Sequence, residues 1–372
     1  MSKRELIKQK EFEVMEFLRE QAQGQAEAYE SCKNRKVSVG MAKDQLFLEQ
    51  FEDSIKKAFK GKLPVPKQLK KTKSKAKRAL NVIISDTHYG SNLDPREVGY
   101  AYGAVEEARR TAEICRQTAN YKRQYREETE LNVHLLGDLI DGKLHDGQSN
   151  SLPVAEQVAA AIRILAQALR FFSSEFHTVK VHCASGNHGR SKSRHPNRAV
   201  DGKYDSVESM IYVALREVVE FLPNTVITIG YSPSYTWDSF GLVGYATHGD
   251  NQVNFGYPGK SINTENIARQ IDKLNNARIG NGEKPLSLVM IGHVHTGTMT
   301  RLNGGTVVIT NSCLIPPDPF ARSIGITSSS CGQWLFESVK GHIVGDARFI
   351  EVDFSTDKDA SLDAIIQPYK GL

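Results

Sequence analysis

The sequence predicts a layered α/β domain with helices outside the sheets. The chain has 372 residues, two or three times a typical domain, which indicates one large domain and a smaller accessory region. From residue 80 onward, short β-branched runs alternate with longer helical segments, the pattern of an α/β domain. Polar side chains that could bind metal stand at the ends of several of these runs, which indicates a site at the carboxyl ends of the strands.

The individual elements follow from composition and periodicity. The strands are predicted, in chain order, at 80–85, 132–137, 178–185, 225–230, 242–249, 286–292 and 305–311. The helices are predicted at about 103–128, 153–174, 203–221 and 262–278. These elements define a predicted domain over residues 80–355, and residues 356–372 are assigned to a C-terminal tail.

The first 80 residues are built differently. They carry 20 Lys and Arg against 11 Asp and Glu, whereas the rest of the chain carries 28 against 32. The run from Lys56 to Leu80 has no acidic residue and contains Pro64 and Pro66, so residues 61–79 are expected to form an extended basic linker.

Residues 1–60 are expected to form a helical module, because Phe12, Met15 and Leu18 recur at helical spacing. This N-terminal extension would bind nucleic acid or a protein partner, or it is a solvated tail that aids solubility, and its sequence does not separate these alternatives.

Composition limits the protein class. The start of the chain is too polar for a signal peptide, and no apolar run approaches the ~20 residues of a bilayer span, so a cytoplasmic protein without membrane contact is expected. Five cysteines without CxxC spacing argue against a disulfide framework or a zinc ribbon, and they are expected to be buried or idle thiols.

Five predicted strands are followed by short motifs rich in Asp, His and Asn. The motifs are "SDTHYG" with Asp86 and His88, "GDLIDG" with Asp138 and Asp141, "GNHGR" with Asn187 and His188, "THGD" with His248, and "GHVHTG" with His293 and His295. Because the carboxyl ends of the strands form one ligand-binding crevice in an open α/β sheet, these side chains are expected to converge on a metal site.

This ordered set of motifs resembles the calcineurin-like metallophosphoesterase family over about residues 80–350. The resemblance implies a four-layer sandwich of two mixed β-sheets flanked by helices, with two divalent ions at the strand ends. It places Asp86, His88 and His295 on one ion and Asn187, His248 and His293 on the other. Asp138 would bridge the two ions, and His188 would stay unligated as the general acid.

The resemblance also implies a reaction. Hydroxide bridging the two ions would attack phosphorus, and manganese is the first choice of metal, with iron, zinc or magnesium as alternatives. Asp141, three residues after Asp138, is interpreted as structural. His145 and Asp146 carry weaker signals and receive no role.

Within that family, "DGK" and "GNHG" depart from the phosphoprotein phosphatases, which usually continue into D-R-G and follow GNH with glutamate. The motifs are instead similar to the DNA-processing branch, namely SbcD-type exonucleases and the small subunit of archaeal family-D DNA polymerase. Gly189 departs from the acidic residue often found after the histidine in that branch as well, which puts the orientation of His188 in question.

A basic loop follows His188. Arg190 and Arg194 in "GRSKSRHPNR" are expected to position the backbone of single- or double-stranded DNA, although a solvated loop would have the same composition. The leading hypothesis is a DNA exonuclease with possible endonuclease activity on single strands. The alternatives are a phosphomonoesterase acting on a small or protein substrate, and a nucleic-acid-binding subunit that depends on a partner.

Overall fold

The computed structural model describes residues 78–124, 129–142, 151–190, 206–230, 232–250, 253, 263–323, 330–352 and 360–370. The predicted helical module, the basic linker up to residue 77, and His145, Asp146 and Arg194 lie outside these described residues.

Eleven strands and seven helices are found among the described residues. The strands are β1 Arg78–Ile84, β2 Thr129–Leu135, β3 Thr178–Cys183, β4 Thr225–Ile229, β5 Ser234–Ser239, β6 Leu242–Thr247, β7 Leu286–Ile291, β8 Thr298–Arg301, β9 Val307–Thr310, β10 Gly332–Val339 and β11 Ala347–Glu351. The helices are α1 Pro95–Val98, α2 Ala104–Gln124, α3 Val154–Glu175, α4 Val207–Val219, α5 Thr264–Gly280, α6 Pro319–Ser323 and α7 Ala360–Asp363.

The strands form two mixed sheets. The first has the order β11-β10-β1-β2-β3-β4, in which β1 to β4 are parallel and β10 and β11 are antiparallel. The second has the order β5-β6-β7-β9-β8, with a parallel centre of β6, β7 and β9 and an antiparallel strand at each edge. The predicted sandwich of two mixed sheets flanked by helices is confirmed.

Three apolar layers hold the sandwich together. One lies between the first sheet and helices α2, α3 and α4, and it also receives Leu362 and Ile366 from the segment that was assigned to a C-terminal tail. The second lies between the two sheets, where Phe336 and Met290 are fully buried. The third packs α5 against the second sheet through Ile267 and Ile271.

Local sequence explains where the helices begin. Helix α4 starts after Ser206, whose hydroxyl accepts a hydrogen bond from the Ser209 amide at 3.2 Å, and α5 starts after Asn263, which accepts from Asn266 at 2.9 Å. Both are N-caps that satisfy an otherwise unpaired amide of the first turn. No described helix is both long and apolar enough to cross a bilayer.

All seven predicted strands and all four predicted helices are present, within a few residues at each end. Four strands were not predicted: β5, β8, β10 and β11. Each of them pairs antiparallel in a hairpin or at a sheet edge, where no intervening helix marks the strand in the sequence. The four described cysteines, Cys115, Cys183, Cys313 and Cys331, are buried thiols that form no disulfide, as expected.

A polar and aromatic cluster joins the two sheets beside the apolar layer. The rings of His134 and His182, on neighbouring strands of the first sheet, stack at 5.3 Å between centroids, and Tyr235 of the second sheet stacks on His182 at 5.5 Å. His134 Nδ1 lies 2.9 Å from the Tyr235 hydroxyl. Burial, with the charge of Lys180, lowers the pKa of His182 to about 4.

This cluster predicts a loss of stability in acid. His182 is protonated at a lower pH in the folded chain than in the unfolded chain, where its pKa is about 6.5. The contribution of neutral His182 to the free energy of unfolding is therefore complete above pH 6.5 and declines as pH falls toward 4. The expected loss of unfolding free energy is about 3 kcal/mol over that range. Urea unfolding at pH 7.0 and 4.5 should show a weaker pH dependence for His182→Gln than for wild type. His342→Gln, at an exposed turn, is the control. Equal pH dependence in the wild type and His182→Gln would contradict the prediction.

Candidate metal centre

Five central strands deliver the candidate ligands to one place. Strands β1, β2 and β3 of the first sheet end just before Asp86, Asp138 and Asn187, and β6 and β7 of the second sheet end just before His248 and His293. Backbone hydrogen bonds join the loops: the Asp86 amide donates to the Gly137 carbonyl at 3.0 Å, and the Ala184 amide donates to Leu135 at 2.8 Å. The site therefore lies where the carboxyl ends of both sheets meet, as expected for an α/β crevice.

A first group of ligand atoms is formed by Asp86, His88 and His295. His88 Nε2 lies 3.3 Å from His295 Nε2, and His295 Nε2 lies 3.4 Å from Asp86 Oδ1. Asp86 and His88 are buried, whereas the His295 side chain is 25% exposed. Each of the three side chains offers a ligand atom within 4.8 Å of the others, close enough to share one ion.

A second group is centred on His248. Its Nε2 lies 3.0 Å from both Asp138 Oδ2 and Asn187 Oδ1, and His293 completes a set of ligand atoms with Asp138 and His248. Asp138 also belongs to a third set with His88 and His188. Because Asp138 stands between sets that contain His88 and His248, its position is compatible with the predicted bridging role.

The backbone at the candidate ligands is unusual. Left-handed φ angles occur at Asp86 (52°), His88 (48°), Asp138 (50°), His293 (68°) and His295 (55°). Outside glycine, Phe240 is the one other described residue with a positive φ. Such a conformation costs on the order of 1–3 kcal/mol for each residue and clusters at functional sites. Five of the candidate ligands therefore share this uncommon backbone conformation in one crevice.

Close backbone approach makes the arrangement possible. Gly137 has φ 85°, and a Cβ atom on it would lie 2.2 Å from the Gly186 amide nitrogen. Glycine therefore lets the Asp138 loop pack directly on the Asn187 loop. The His188 amide donates to Asp138 Oδ1 at 2.8 Å and the His293 amide donates to Asp86 Oδ1 at 2.9 Å, which orients both carboxylates.

The electrostatics favour the protonation states in which these side chains can bind a metal ion. Burial alone would raise the pKa of Asp86 and Asp138, but the surrounding histidines outweigh it and hold both pKa values below the ordinary value. Burial, with neighbouring His248, lowers the pKa of His293 to about 4, and burial with His188 also lowers that of His88. Anionic carboxylates and neutral imidazoles are the states that bind metal ions.

The imidazoles are oriented by contacts of the ring nitrogen that faces away from the site. His248 Nδ1 lies 2.7 Å from the Leu136 carbonyl oxygen, which places the proton on Nδ1 and leaves Nε2 as the ligand atom. His188 Nδ1 lies 2.7 Å from the Asp141 carbonyl oxygen, so its Nε2 likewise faces the site. Asp141 Oδ1 is 3.5 Å from His88 Nδ1, and the Ser151 hydroxyl donates to Asp141 Oδ2. Asp141, interpreted as structural, thus orients two site histidines.

His188 stands at the edge of the centre. Its Nε2 is 3.9 Å from Asp138 Oδ2, and its side chain is 13% exposed. Burial opposes protonation, but the charges of Asp138 and Asp141 outweigh it and raise the pKa of His188. The ring can therefore hold a proton at Nε2 beside the ligand atoms.

The two predicted arginines differ in what the structure shows. Arg190 lies in the described residues, and its guanidinium pairs with Asp250 at 2.8 Å, next to the His248 loop. Its side chain is 17% exposed, so it stands at the border of the site. Arg194 falls outside the described residues, and its phosphate-positioning role stays a prediction, as does that of Arg190.

Several supporting residues escaped the sequence analysis. Glu107 of α2 accepts from the Gly90 amide at 2.8 Å, and Gln157 of α3 accepts from the Gly142 amide at 2.7 Å. Glu208 of α4 accepts from Leu139 and Gly186. Burial raises the pKa of Glu107 to about 8 and, with the charge of Asp138, that of Glu208 to about 7. A buried acid on an amphipathic helix has no sequence signature, so only the fold could identify these side chains.

The donor set fits divalent metal ions. Carboxylate, imidazole and amide atoms converge without a thiolate among the described residues at the site. Such mixed oxygen and nitrogen sets suit manganese, iron or zinc. The geometry does not select among these metals.

Comparisons with known proteins found structural likenesses at low sequence identity. No family model matches the chain, and no curated protein matches it. A dimetal phosphatase from Danio rerio is 13% identical, covers 74% of this chain and 99% of its own, and has a TM-score of 0.35. A conserved uncharacterised protein from Streptococcus pneumoniae, described as a predicted phosphoesterase, is 11% identical (75% and 99% covered, TM-score 0.29).

A calcineurin-like phosphoesterase from Bacillus subtilis is 11% identical, with 78% of this chain and 96% of its own covered and a TM-score of 0.31. At these identities and TM-scores, the likenesses do not assign a function to the chain. Its candidate two-metal centre therefore rests on the converging ligand atoms, their strained backbone and their hydrogen-bond partners.

Proposed function

We propose that this protein is a two-metal-dependent phosphodiesterase that hydrolyses DNA, acting as an exonuclease with possible endonuclease activity on single strands. The observation that carries the metal-dependent hydrolase is a chain of three overlapping sets, Asp86/His88/His295, His88/Asp138/His188 and Asp138/His248/His293. Within each set the ligand atoms lie within 4.8 Å of one another, and Asn187 contacts His248. Two divalent ions, when bound, would lower the pKa of water and stabilise the entering and leaving oxygens of an in-line displacement.

The side chains of the chain itself have separate tasks in this proposal. Asp86, His88 and His295 would hold one ion, Asn187, His248 and His293 would hold the other, and Asp138 would contribute to both. His188, oriented through Nδ1 by the Asp141 carbonyl, presents Nε2 to the leaving oxygen and transfers a proton to it. In this proposal, substrate approaches from the side on which His188 and His295 are partly exposed.

Charge supports a polymeric phosphate substrate. The basic run from Lys56 to Leu80 and the Arg-rich loop after His188 would attract DNA through its phosphates, without selecting a sequence. The N-terminal helical module is proposed to contact nucleic acid or a protein partner.

The test is a time course on a 5′-labelled oligonucleotide, single- and double-stranded, with manganese or EDTA. We expect shortened products or mononucleotides that appear with manganese and vanish with EDTA, and the product ladder separates exonuclease from endonuclease action. Loss of activity with rising salt would support the electrostatic grip on the backbone. A DNA substrate that stays intact with metal bound would contradict the nuclease proposal.

One observation favours a second candidate, a phosphomonoesterase. Arg190, the described basic side chain predicted to hold a flanking phosphate, is already paired with Asp250. A site that needs no flanking phosphates would hydrolyse a small monoester with little dependence on salt. Metal-dependent hydrolysis of a small phosphomonoester, alongside an intact oligonucleotide, would favour this candidate.

A further inference from the structure

Glu208 lies at the start of helix α4 and connects two loops of the candidate metal centre. Its Oε1 accepts a hydrogen bond from the Leu139 amide at 2.6 Å, and its Oε2 accepts from the Gly186 amide at 2.5 Å. Leu139 directly follows Asp138, and Gly186 directly precedes Asn187. The side chain is fully buried. One carboxylate thus holds the backbone of two ligand loops at once.

The GNHGR loop is shaped to receive this side chain. A Cβ atom on Gly189 would lie 2.7 Å from Glu208 Cγ, and the Gly189 carbonyl oxygen accepts from the Val207 amide at 2.8 Å. Glu208 therefore fills the space beside Gly189, where any larger residue would displace it. The glycine after His188 and the buried glutamate on α4 form one unit.

The two loops that Glu208 joins also share a ligand contact. Asp138 Oδ2 and Asn187 Oδ1 each lie 3.0 Å from His248 Nε2, so a small relative shift of the loops changes the geometry of the second ion's ligands. Removing a hydrogen-bond partner that orients a metal ligand commonly lowers metal affinity by about 10–100-fold.

We propose that Glu208 is a positioning residue of the metal centre, which ties the Asp138 loop to the Asn187 loop and thereby sets the spacing of their ligand atoms. This inference rests on the two-metal site of the proposed function, and it is independent of whether the substrate is DNA.

The chemistry of the two contacts suggests the variant. Both partners of Glu208 are N–H donors, so both of its oxygens must accept. In Glu208→Gln, one of the two oxygens is replaced by an amide nitrogen, which donates and cannot accept. The side chain can then accept a hydrogen bond from only one of the two loops. Gly189→Ala provides a second variant that retains the carboxylate but pushes it out of place.

Manganese(II) binding to the full-length protein, measured by titration calorimetry, is the first measurement. We expect manganese affinity to fall about tenfold or more in Glu208→Gln and in Gly189→Ala. In the Glu208→Ala background, Gly189→Ala should cause no further loss, because the side chain that it displaces is gone. Glu217→Gln, a partly exposed glutamate on the same helix, should bind manganese like the wild type.

A second measurement separates positioning from general destabilisation. The electron paramagnetic resonance spectrum of the two-manganese protein reports the coupling between the ions, which depends on their spacing. If Glu208 sets the spacing of the ligand loops, Glu208→Gln should weaken this coupling. The melting temperature of the variant in EDTA gives the cost to the stability of the fold alone.

Wild-type manganese affinity and coupling in both Glu208→Gln and Gly189→Ala would overturn the inference. If Glu208→Gln does not fold, wild-type manganese affinity and coupling in Gly189→Ala alone would overturn the inference. A wild-type protein that binds none of manganese, iron and zinc would remove the metal centre and this inference together. A protein that binds manganese but leaves DNA intact would refute only the nuclease.

Discussion

Asp138→Asn is expected to lose at least one of two manganese ions and to lower hydrolysis roughly a thousandfold, since metal ions supply several kcal/mol of transition-state stabilisation. Asp138 is 1% exposed, lies 3.0 Å from His248 Nε2, and shares ligand sets with both His88 and His293. The neutral amide retains the acceptor for the His188 amide, but it removes the charge that would offset two cations.

Metal content by elemental analysis and melting temperature with and without manganese would check this result. A ligand that binds only the folded state stabilises it by about 2.7 kcal/mol at 100 times its Kd, so manganese should stabilise the wild type more than Asp138→Asn. Asp272→Asn, at an exposed position of α5, is the matched control. In EDTA, Asp138→Asn should be less stable than the wild type at neutral pH, because the surrounding histidines hold the pKa of Asp138 below its ordinary value and so favour the carboxylate in the folded state. Two bound ions in Asp138→Asn would contradict a bridging role.

His188→Ala is expected to lower turnover on DNA by about 10²–10⁴-fold while both ions stay bound. The ring is held through Nδ1 by the Asp141 carbonyl at 2.7 Å, and its Nε2 is 3.9 Å from Asp138. This position suits proton transfer to a leaving oxygen, yet His188 also shares a possible ligand set with His88 and Asp138. The two roles therefore predict different outcomes in the same variant.

Leaving-group dependence separates these roles. A nitrophenyl phosphodiester expels a stable anion and needs no proton, so His188→Ala should lose much less activity on it than on an oligonucleotide. His177→Ala, near the start of β3 and away from the centre, provides the control. An equal loss on both substrates, together with loss of manganese by elemental analysis, would identify His188 as a ligand rather than an acid.

The parallel strands and the long helices could be predicted because each carries its own local pattern. Helix α3 has an apolar, Ala-rich face over Val154–Glu175, and β1, β2 and β7 are apolar runs that end in a polar motif. Strands β5, β8, β10 and β11 could not be predicted in this way. They pair antiparallel with distant or adjacent segments, and the register of such pairs is a tertiary property.

The same division applies to the centre. The sequence alone determined which residues stand at the strand ends, because metal-capable side chains and glycines occur there in motifs that are short and contiguous. Only the tertiary structure decided how they are held: the left-handed backbone at Asp86 and Asp138, the pairing of Arg190 with Asp250, and the contacts of Glu208 with Leu139 and Gly186. These contacts join residues that lie far apart in the chain. Their hydrogen bonds and charges exist only after both sheets have packed, so no local pattern encodes them.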